Sequence, residues 1–577
     1  MKRCPACKRI ENDDALVFCR ADGTPLVSDS ESVGADAGTI KLDPVTRGNE
    51  IETSILPHTT DSTMNRATAP TTVPAQQAGA TNALAKPKQR RAAIVIAVIV
   101  TAVVAAASAI VVDSYLSRKS HASIQSVAVL PFTNTSGNTD LEYLSDGITE
   151  SLINSLSQLP NLSVKARSTV FHYKGKDVTP QQVGSELSVQ AVLNGRVTQR
   201  GDQLTLNLEL VDARTGNQIW GEQYNRKTAD LVSLQSEIAR EVSNKLRVKL
   251  SGADEKKLAK NYTENPEAYQ LYLKGQFYLQ KRTVKYFQKA IECFQQATAL
   301  EPNYALAFAG LADANTLISI YGGAPYRDEM VKAKEAALKA LALDNNLAEA
   351  HAALGQILDY YDYDFVGAER EYSRAIELNP NYATAHHWRG EVLSEQARFE
   401  EAFGDYRRAL EIDPLSLIIN RMYGHGLLYA RQYDAAVAQL KKTIELDASF
   451  PSTHFTLALA YEAKGNRADC VEEFAKLHEL NGEPQKAALV RDNFAKGGWL
   501  SFLRTMVGEG RLSNSSSYNA ATFYVALGDK DKAFAELSKS YENREPSMRS
   551  LKVDPLLDPL RDDPRFADLM RRMGLVP

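Results

Sequence analysis

Four residues near the start of the chain could bind a metal ion. Cys4 and Cys7 form a C-x2-C pair, and after eleven intervening residues Cys19 and Asp22 follow in the arrangement C-x2-D. Two thiolates on one tight turn supply half of a tetrahedral site, and a second turn supplies the other half. The spacing therefore predicts a structural Zn²⁺ site with the ligands Cys4, Cys7, Cys19 and Asp22. The alternative is that Asp22-Gly23 is only a β-turn and that the cysteines are free thiols.

A head of this size would depend on its metal ion. Residues 1–27 are too few to build a sufficient hydrophobic core, so folding would require the ion. Three of the five cysteines lie in this head, and the other two, Cys293 and Cys470, show no disulfide pattern. The arrangement resembles the short zinc ribbons at the front of many bacterial membrane proteins, which implies a zinc-ribbon-like domain over residues 1–27.

Three histidines recur at one position of a repeated pattern. His351, His386 and His454 occupy equivalent places, and Asn420 stands at that place in a fourth unit. Neighbouring helices pack about 8–10 Å apart, whereas nitrogens that share a metal ion need bonds of about 2.0–2.1 Å. The pattern therefore favours equivalent packing within each repeat over a shared metal site.

No motif of a known catalytic centre occurs in the sequence. The chain contains no kinase glycine-rich loop, no His-Arg-Asp or Asp-Phe-Gly triplet, no Walker loop, no H-E-x-x-H and no G-x-S-x-G. Each of these patterns positions a nucleophile, a base, a phosphate or a metal ion that the chemistry needs. We therefore expect a protein that is not an enzyme and has no catalytic residues.

The elements that would position a binding surface recur about every 34 residues. In four consecutive units a small residue is followed four positions later by a large one. The small residues are Ala368, Ala402, Ala436 and Cys470, and the large ones are Tyr372, Tyr406, Leu440 and Phe474. Such a unit forms two antiparallel helices that bury their apolar faces only by stacking on neighbours. The pattern resembles the tetratricopeptide repeat (TPR), which implies an all-α solenoid whose concave surface binds a protein or peptide.

The repeats extend in both directions from these four units. We expect TPR repeats over residues 262–482 and further TPR-like hairpins with a terminal cap over residues 483–577, about six to eight hairpins in all. The pattern predicts a break in the helix at Gly497-Gly498. Residues 553–570 predict a polar-faced cap, because a solenoid must protect its exposed apolar end.

In a TPR stack the first helix of each repeat lines the concave face, and eight residues fall at inward positions. They are Gln356, Asp359, His387, Glu391, Arg421, His425, Phe455 and Glu462. This set contains one cation, two imidazoles and three carboxylates, which differs from a Lys/Arg-rich clamp for a carboxyl terminus. We expect contacts with a partner here; the alternative is a solvated face without a dedicated ligand.

One segment predicts a transmembrane helix. Residues 92–112 are 21 residues of Ala, Val, Ile, Ser and Thr without a charge, which is about 31 Å of helix against a hydrocarbon core of roughly 30 Å. Four basic residues precede it between positions 86 and 91, and two follow at 118 and 119. This asymmetry places the amino terminus in the cytoplasm. Residues 28–91, rich in Thr, Ser, Ala and Pro, predict a disordered linker.

Residues 123–250 alternate short apolar runs with helical stretches, an order that predicts an α+β domain. Four motifs carry a further resemblance, namely VAVLPF at 127–132, DGITE at 146–150, NGRV at 194–197 and IWGE at 219–222. They resemble the TolB-amino-terminal-like domain that precedes repeats in bacterial sensor proteins, including kinases, adenylate cyclases and CadC-type membrane activators. The resemblance implies signalling and supplies no catalytic residues.

The sequence thus predicts a multidomain protein with a small zinc ribbon, one transmembrane helix, an α+β domain and an all-α TPR solenoid. We expect a single-pass bacterial inner-membrane protein, with its carboxyl-terminal domains outside the cytoplasm, that mediates protein–protein interaction or senses a ligand. A formal net charge of −4 argues against wholesale nucleic-acid binding. Three alternatives stay open: a receptor acting through a cytoplasmic partner at the zinc head, an enzyme of unknown type, and a scaffold with its repeats in the cytoplasm.

Overall fold

The computed structural model describes residues 124–508 and 516–575, together with three two-residue strands near the amino terminus. These strands are β1 (Lys2–Arg3), β2 (Ile10–Glu11) and β3 (Val27–Ser28), paired antiparallel in the order β2-β1-β3. The predicted zinc ligands, residues 29–91 of the predicted linker and the membrane segment lie outside the described residues. Within the described residues, no helix has the length and apolar character that a membrane crossing requires.

The part of the chain that begins at residue 124 opens with an α+β domain around a six-stranded sheet. Its strands are β4 (Ser126–Val129), β5 (Thr133–Asn134), β6 (Ser163–Val164), β7 (Ala191–Arg200), β8 (Gln203–Asp212) and β9 (Gln218–Lys227). Strand β4 is parallel to β6 and β7, whereas β7, β8 and β9 form an antiparallel meander. Leu204, Leu206, Leu208 and Leu210 alternate with more exposed residues along β8, as expected for a sheet with one covered face.

Helices of this domain contribute to the same core. They are α1 (Glu142–Ser157), α2 (Arg167–Phe171), α3 (Pro180–Leu187) and α4 (Leu231–Lys245). Helix α1 buries Ile148, Leu152 and Leu156, which share one helix face. Helix α3 begins at a capping box on Thr179 with Pro180 in its first turn. The sequence pattern predicts this order of elements but misses β5 and α2, which are too short to show periodicity.

The rest of the described chain is helical. Its helices are α5 (Gly252–Leu258), α6 (Pro266–Leu279), α7 (Val284–Leu300), α8 (Ala305–Ile320), α9 (Tyr326–Leu343), α10 (Ala348–Ile357), α11 (Phe365–Leu378), α12 (Ala383–Glu395), α13 (Phe399–Ile412), α14 (Leu417–Tyr429), α15 (Tyr433–Leu446), α16 (Pro451–Lys464), α17 (Arg467–Leu480), α18 (Pro484–Val507), α19 (Ser517–Ala526), α20 (Lys530–Glu542) and α21 (Pro564–Arg572). Consecutive helices from α6 to α17 pack as six hairpins, and α19 packs on α20 as another.

A glycine on the first helix of a hairpin makes room for a large side chain on the second. A Cβ atom added at Gly355 would lie 2.6 Å from the ring of Tyr372, and one added at Gly275 would lie 2.5 Å from the ring of Phe294. Both rings are fully buried. The glycine therefore sets the distance between the paired helices, because any side chain there would push the second helix away.

The carboxyl-terminal part departs from a regular stack. Helix α18 bends at Gly498, where φ is 66°, a left-handed conformation that glycine adopts readily. After α20 come two 3₁₀ segments, Pro546–Lys552 and Pro555–Leu560. The segment Pro546–Lys552, which precedes the residues predicted as a cap, lies on the concave side against earlier repeats, because Arg549 binds carboxylates there, such as Asp359 at 2.6 Å.

Candidate ligand-binding cavity on the concave face

A cavity of about 1580 Å³ lies between the concave face of the solenoid and the α+β domain. Helices α1 and α2 of the domain form one wall, with Glu150 and Arg167 among the lining residues. First helices of successive repeats form the opposite wall, and the 3₁₀ segment Pro546–Lys552 reaches the cavity through Arg549. The space is therefore bounded by three separate parts of the chain.

One repeat position faces this cavity in six successive first helices. The residues at this position are Gln276, Asp313, Gln356, Glu391, His425 and Leu459. Each directly follows a glycine or alanine of its first helix, namely Gly275, Ala312, Gly355, Gly390, Gly424 and Ala458. One helical turn earlier, Tyr272, His387, Arg421 and Phe455 also line the cavity, as expected for positions i and i+4 on one helix face. The wall changes along the solenoid from amides and acids to a basic and then an apolar surface.

Polar contacts hold the α+β domain against the turns between repeats. Thr169 Oγ1 donates to Asp413 Oδ1 at 2.6 Å, and the hydroxyl of Ser168 donates to the other oxygen of the same carboxylate. These residues contact the turn that contains Asp413. A second turn also contributes, because Asn381 Nδ2 donates to the backbone oxygen of Leu162 at 2.8 Å. These bonds fix the domain over the cavity, and the sequence gives no sign of them.

Six of the eight residues predicted from the sequence line the cavity: Gln356, His387, Glu391, Arg421, His425 and Phe455. Asp359 is fully buried beside Arg549. Glu462 is partly buried at the far end of the row, and burial, followed by the charge of Asp554, raises its pKa to about 8. The sequence prediction missed Asp313 and the domain wall. Asp313 could have been found from Ala312 before it, but extra residues interrupt the repeat spacing there.

Arg549 is held by a group of three carboxylates. Its Nη1 lies 2.6 Å from Asp359 Oδ2 and 3.1 Å from Glu395 Oε1, and its Nη2 lies 3.2 Å from Glu391 Oε2. The guanidinium also stacks 3.6 Å from the ring centroid of Tyr360. Burial alone would lower the pKa of Arg549, but Asp359 and Glu395 raise it. We name Arg549, Asp359, Glu391 and Glu395 the Arg549 cluster.

The acids of the Arg549 cluster differ in pKa. Burial raises the pKa of Asp359 to about 6 although Arg549 opposes it, and burial raises the pKa of Glu395 well above its usual range. Burial has the same tendency at Glu391, but His387 and Arg549 outweigh it and lower the pKa. His387 Nε2 lies 2.7 Å from Glu391 Oε1. The charge of Glu391 is therefore shared between His387 and Arg549.

Arg421 has a different environment on the same face. Its Nη1 donates to Thr456 Oγ1 at 3.2 Å, and among the described residues its Nε has no hydrogen-bond partner. Burial lowers the pKa of Arg421 although Glu391 opposes this. One turn along, burial and then the charge of Arg421 lower the pKa of His425 to about 3. At neutral pH this end of the cavity has a guanidinium beside a neutral imidazole.

The three equivalent histidines make the same contacts in their separate repeats. Nδ1 of His351, His386 and His454 lies 2.7, 2.9 and 2.6 Å from a carboxylate on the second helix. Nε2 of each faces the backbone oxygen six residues earlier. With acceptors at both nitrogens, only the imidazolium can donate to both. Residues 124–508 and 516–575 contain no group of three or more His, Cys, Asp or Glu side chains placed so that it could hold a metal ion.

Two family models match parts of the chain. One, described as the second domain of HilA/YgeH-like transcriptional regulators, matches residues 123–241. The other describes the tetratricopeptide repeat and matches residues 364–416, so TPR repeats are present as the sequence pattern predicts. The helical solenoid and a domain of strands and helices follow the predicted fold class, whereas the zinc ribbon, the membrane helix and the TolB-amino-terminal-like resemblance stay predictions.

Curated relatives match the chain over part of its length. A "Putative adenylate cyclase 3" of Rhizobium meliloti is 32% identical over 237 residues, 41% of this chain and 40% of that protein. "Transcriptional regulator HilA" of Salmonella typhimurium is 30% identical over 132 residues, 23% of this chain and 24% of that protein. The chain thus spans less than half the length of either relative.

Among solved structures, YrrB, described as a TPR protein with an unusual peptide-binding site, is 20% identical. The match covers 35% of this chain and 99% of YrrB, with a TM-score of 0.25.

Proposed function

We propose that this chain is a non-catalytic, membrane-anchored sensor protein of the bacterial envelope that binds an extended peptide in the cavity of its TPR solenoid. TPR repeats form a scaffold for protein–protein interaction. The observation that carries the finer proposal is that six successive repeats place the same position on the wall of one cavity. A row of this kind provides a series of side-chain contacts along an extended chain.

The shape of the cavity favours a slender ligand over a folded partner. The α+β domain and the Arg549 segment both reach the concave side, so a globular protein could not lie against the whole row without displacing them. An extended peptide needs only a channel lined by side chains. Its backbone C=O groups can accept hydrogen bonds from side-chain amides such as those of Gln276 and Gln356, and its N–H groups can donate to their oxygens. The proposed partner is therefore a peptide or an unstructured protein segment.

Cavity-blocking variants test this proposal. The full chain in detergent micelles is incubated with a pool of random N-acetylated hexapeptides, and bound peptides are counted by mass spectrometry. Leu459→Trp adds a large ring at the cavity wall, whereas Val366→Trp adds the same ring on α11, where Val366 is 72% exposed and lies outside the cavity. Wild type and Val366→Trp should retain peptides and Leu459→Trp should lose them. Equal retention by all three contradicts binding in the cavity.

The membrane anchor and the zinc head belong to the same proposal. Residues 92–112 would span the inner membrane with the amino terminus in the cytoplasm, and Cys4, Cys7, Cys19 and Asp22 would hold one Zn²⁺. Deletion of residues 92–112 should release the protein from membranes washed with alkaline carbonate. In a variant without the three head cysteines, a membrane-impermeant maleimide should label Cys293 in spheroplasts. Purified wild type should contain zinc that Cys4→Ser lacks.

A second candidate is a receptor that passes its signal to a cytoplasmic partner through the zinc head. It is favoured by the match of residues 123–241 to a domain of transcriptional regulators. Deletion of residues 1–26 should then abolish the cellular response and leave peptide binding intact. A catalytic alternative comes from the relative described as a putative adenylate cyclase. Formation of cyclic AMP from ATP by the purified full chain would establish that alternative and overturn the non-catalytic proposal.

A further inference from the structure

The charge of Arg421 is not matched by an ion pair within the described residues. The ion pairs on this part of the concave face go to Arg549 and His387. Glu391 is the carboxylate that opposes the pKa shift of Arg421, but its Oε1 already lies 2.7 Å from His387 Nε2 and its Oε2 lies 3.2 Å from Arg549 Nη2. The remaining hydrogen bond of Arg421 goes to the neutral hydroxyl of Thr456.

Arg421 is partly buried and its Nε is fully covered, so a guanidinium in this condition is unfavourable for the folded state. Removing a charge from water is unfavourable unless an opposite charge and hydrogen bonds compensate for it. Arg549, on the same face, shows the compensated case with three carboxylates. Arg421 lines the cavity, so an anion that entered the cavity could supply the compensation that the chain itself does not provide.

His425 adds a second polar group at the same place. It lies one helical turn from Arg421 on α14, and its Nδ1 is buried without a hydrogen-bond partner in the described part of the chain. With a pKa of about 3 the ring is neutral at physiological pH, so one of its nitrogens carries a hydrogen and can donate. Arg421 and His425 together offer donors to one acceptor group.

One side of this pair is apolar, opposite the side that holds Glu391. Phe455 and Leu459 occupy the two equivalent positions in the next repeat, and both line the cavity. Ile418 and Leu446 also line it, with 42% and 37% of their surface exposed. A ligand that covered these side chains would gain about 25 cal/mol for each Å² of apolar surface removed from water. The site therefore combines one cationic point with an apolar wall.

We infer that Arg421 and His425 bind the carboxylate of an amphiphilic ligand whose apolar part lies against Phe455 and Leu459. This inference rests on the proposed function and specifies the chemistry at one end of its ligand. A planar guanidinium can hold a carboxylate through two parallel hydrogen bonds. The same chemistry is present at the carboxyl terminus of a peptide with an apolar last residue and in a small organic acid.

The experiment compares acids with their neutral amides. The full chain in detergent micelles is dialysed against N-acetylated hexapeptides that are random except for a final leucine, with either a free carboxylate or a carboxamide end. Hexanoate and hexanamide form a second pair. The variants are Arg421→Gln and, as the matched control, Arg407→Gln, because Arg407 is an exposed arginine on the neighbouring helix α13.

The wild type and Arg407→Gln should bind at least one acid about 10- to 100-fold more tightly than its amide, the range expected for charged hydrogen bonds. Arg421→Gln should lose that preference while keeping its melting temperature. Preference for the peptide acid assigns a peptide terminus, and preference for hexanoate alone assigns a small acid.

Three results would overturn the inference. Equal binding of acid and amide by the wild type leaves peptide binding in place but removes the carboxylate site. An unchanged preference in Arg421→Gln shows that the carboxylate binds elsewhere. The absence of any bound peptide or acid contradicts both the inference and the proposed function.

Discussion

Two arginines on one concave face, the buried Arg549 and the partly buried Arg421, have opposite environments. Arg549 contacts three carboxylates and the ring of Tyr360, whereas Arg421 has one bond to a hydroxyl. Burial lowers the pKa of both arginines. The neighbouring carboxylates outweigh burial at Arg549 and raise its pKa, whereas the pKa of Arg421 stays lowered although Glu391 opposes the shift. The difference separates a charge that holds the fold together from a charge that is open to a ligand.

The contacts of each arginine must compensate for the hydration that its charge loses in the folded protein. A buried charge stabilises the fold only if its interactions with opposite charges and hydrogen-bond partners exceed the free energy of hydration that it has lost. The Arg549 cluster joins the 3₁₀ segment Pro546–Lys552 to the helical turn Leu358–Asp362 and to helix α12, which are far from that segment in sequence. Loss of Arg549 would leave the three acids without their common partner, whereas loss of Arg421 would remove an uncompensated charge.

The largest effect is expected for Arg549→Met. Methionine fills part of the volume but leaves Asp359, Glu391 and Glu395 close together without a cation between them. Breaking a buried ion pair in this way costs about 3–5 kcal/mol. Chemical unfolding of the full chain in detergent, followed by circular dichroism, should show a loss of this size.

A second variant separates charge from packing in the Arg549 cluster. Combining Arg549→Met with Glu395→Gln and Asp359→Asn removes two of the stranded acids and should recover part of the lost stability, because the effects of contacting residues are not additive. If Arg549→Met alone leaves the unfolding free energy unchanged, the distinction between the two arginines has no energetic basis.

A carboxylate on the same wall extends the comparison to negative charge. Burial raises the pKa of Asp313 to about 7, with Arg282 opposing and Glu349 adding to the shift. The unfolded side chain has a pKa of about 3.9, so the folded state holds a proton that the unfolded state has lost between these pH values. Stability is therefore full below about pH 4 and decreases as the pH rises through about 7.

Asp313→Asn removes this pH-dependent loss. The free energy of unfolding of the variant should exceed that of the wild type by about 2–4 kcal/mol at pH 8 and should be nearly the same at pH 4. Thermal unfolding at the two pH values measures the difference. The exposed Asp328 on α9 supplies the control, since Asp328→Asn should change neither value. A gain of equal size at both pH values would show that ionisation of Asp313 is not the cause.

The parts of this fold that could be predicted are those set by local periodicity. The pairing of Gly355 with Tyr372, a left-handed Gly498 and alternation in the long strands are consequences of neighbouring residues. The inward positions on α10, α12, α14 and α16 follow from the same spacing, which is why six predicted residues line the cavity.

The rest depends on contacts between residues distant in sequence. Nothing near Arg549 indicates that it binds Asp359, which is 190 residues away, and nothing near Thr169 indicates the bond to Asp413. Repeat position shows that Arg421 faces inward but not that nearby acids bind other cations. Periodicity therefore predicts the wall of the site, and only the tertiary fold distinguishes compensated from uncompensated charge.

His454 and Glu473 provide a compensated pair away from the cavity. The hydrogen bond to Glu473 raises the pKa of His454, so its stabilisation is full below about pH 6.5 and is lost as the pH rises through the folded pKa. His454→Gln should cost about 1–2 kcal/mol at pH 6 and less at pH 9. The exposed His172 provides the control, because His172→Gln should leave the free energy of unfolding unchanged at both pH values. A larger cost at pH 9 would contradict a charged pair.

The smallest effect on stability is expected for Arg421→Gln, and it tests the comparison most directly. Glutamine keeps a polar group beside Thr456 but removes the positive charge of Arg421, which forms no ion pair with a carboxylate of the described residues. Since an uncompensated charge that is partly removed from water opposes folding, the unfolding free energy should stay within about 0.5 kcal/mol of the wild type or increase, as for a substitution outside any stabilising network. A loss close to that of Arg549→Met would mean that Arg421 is as necessary to the fold as Arg549, and the two arginines would no longer mark different roles.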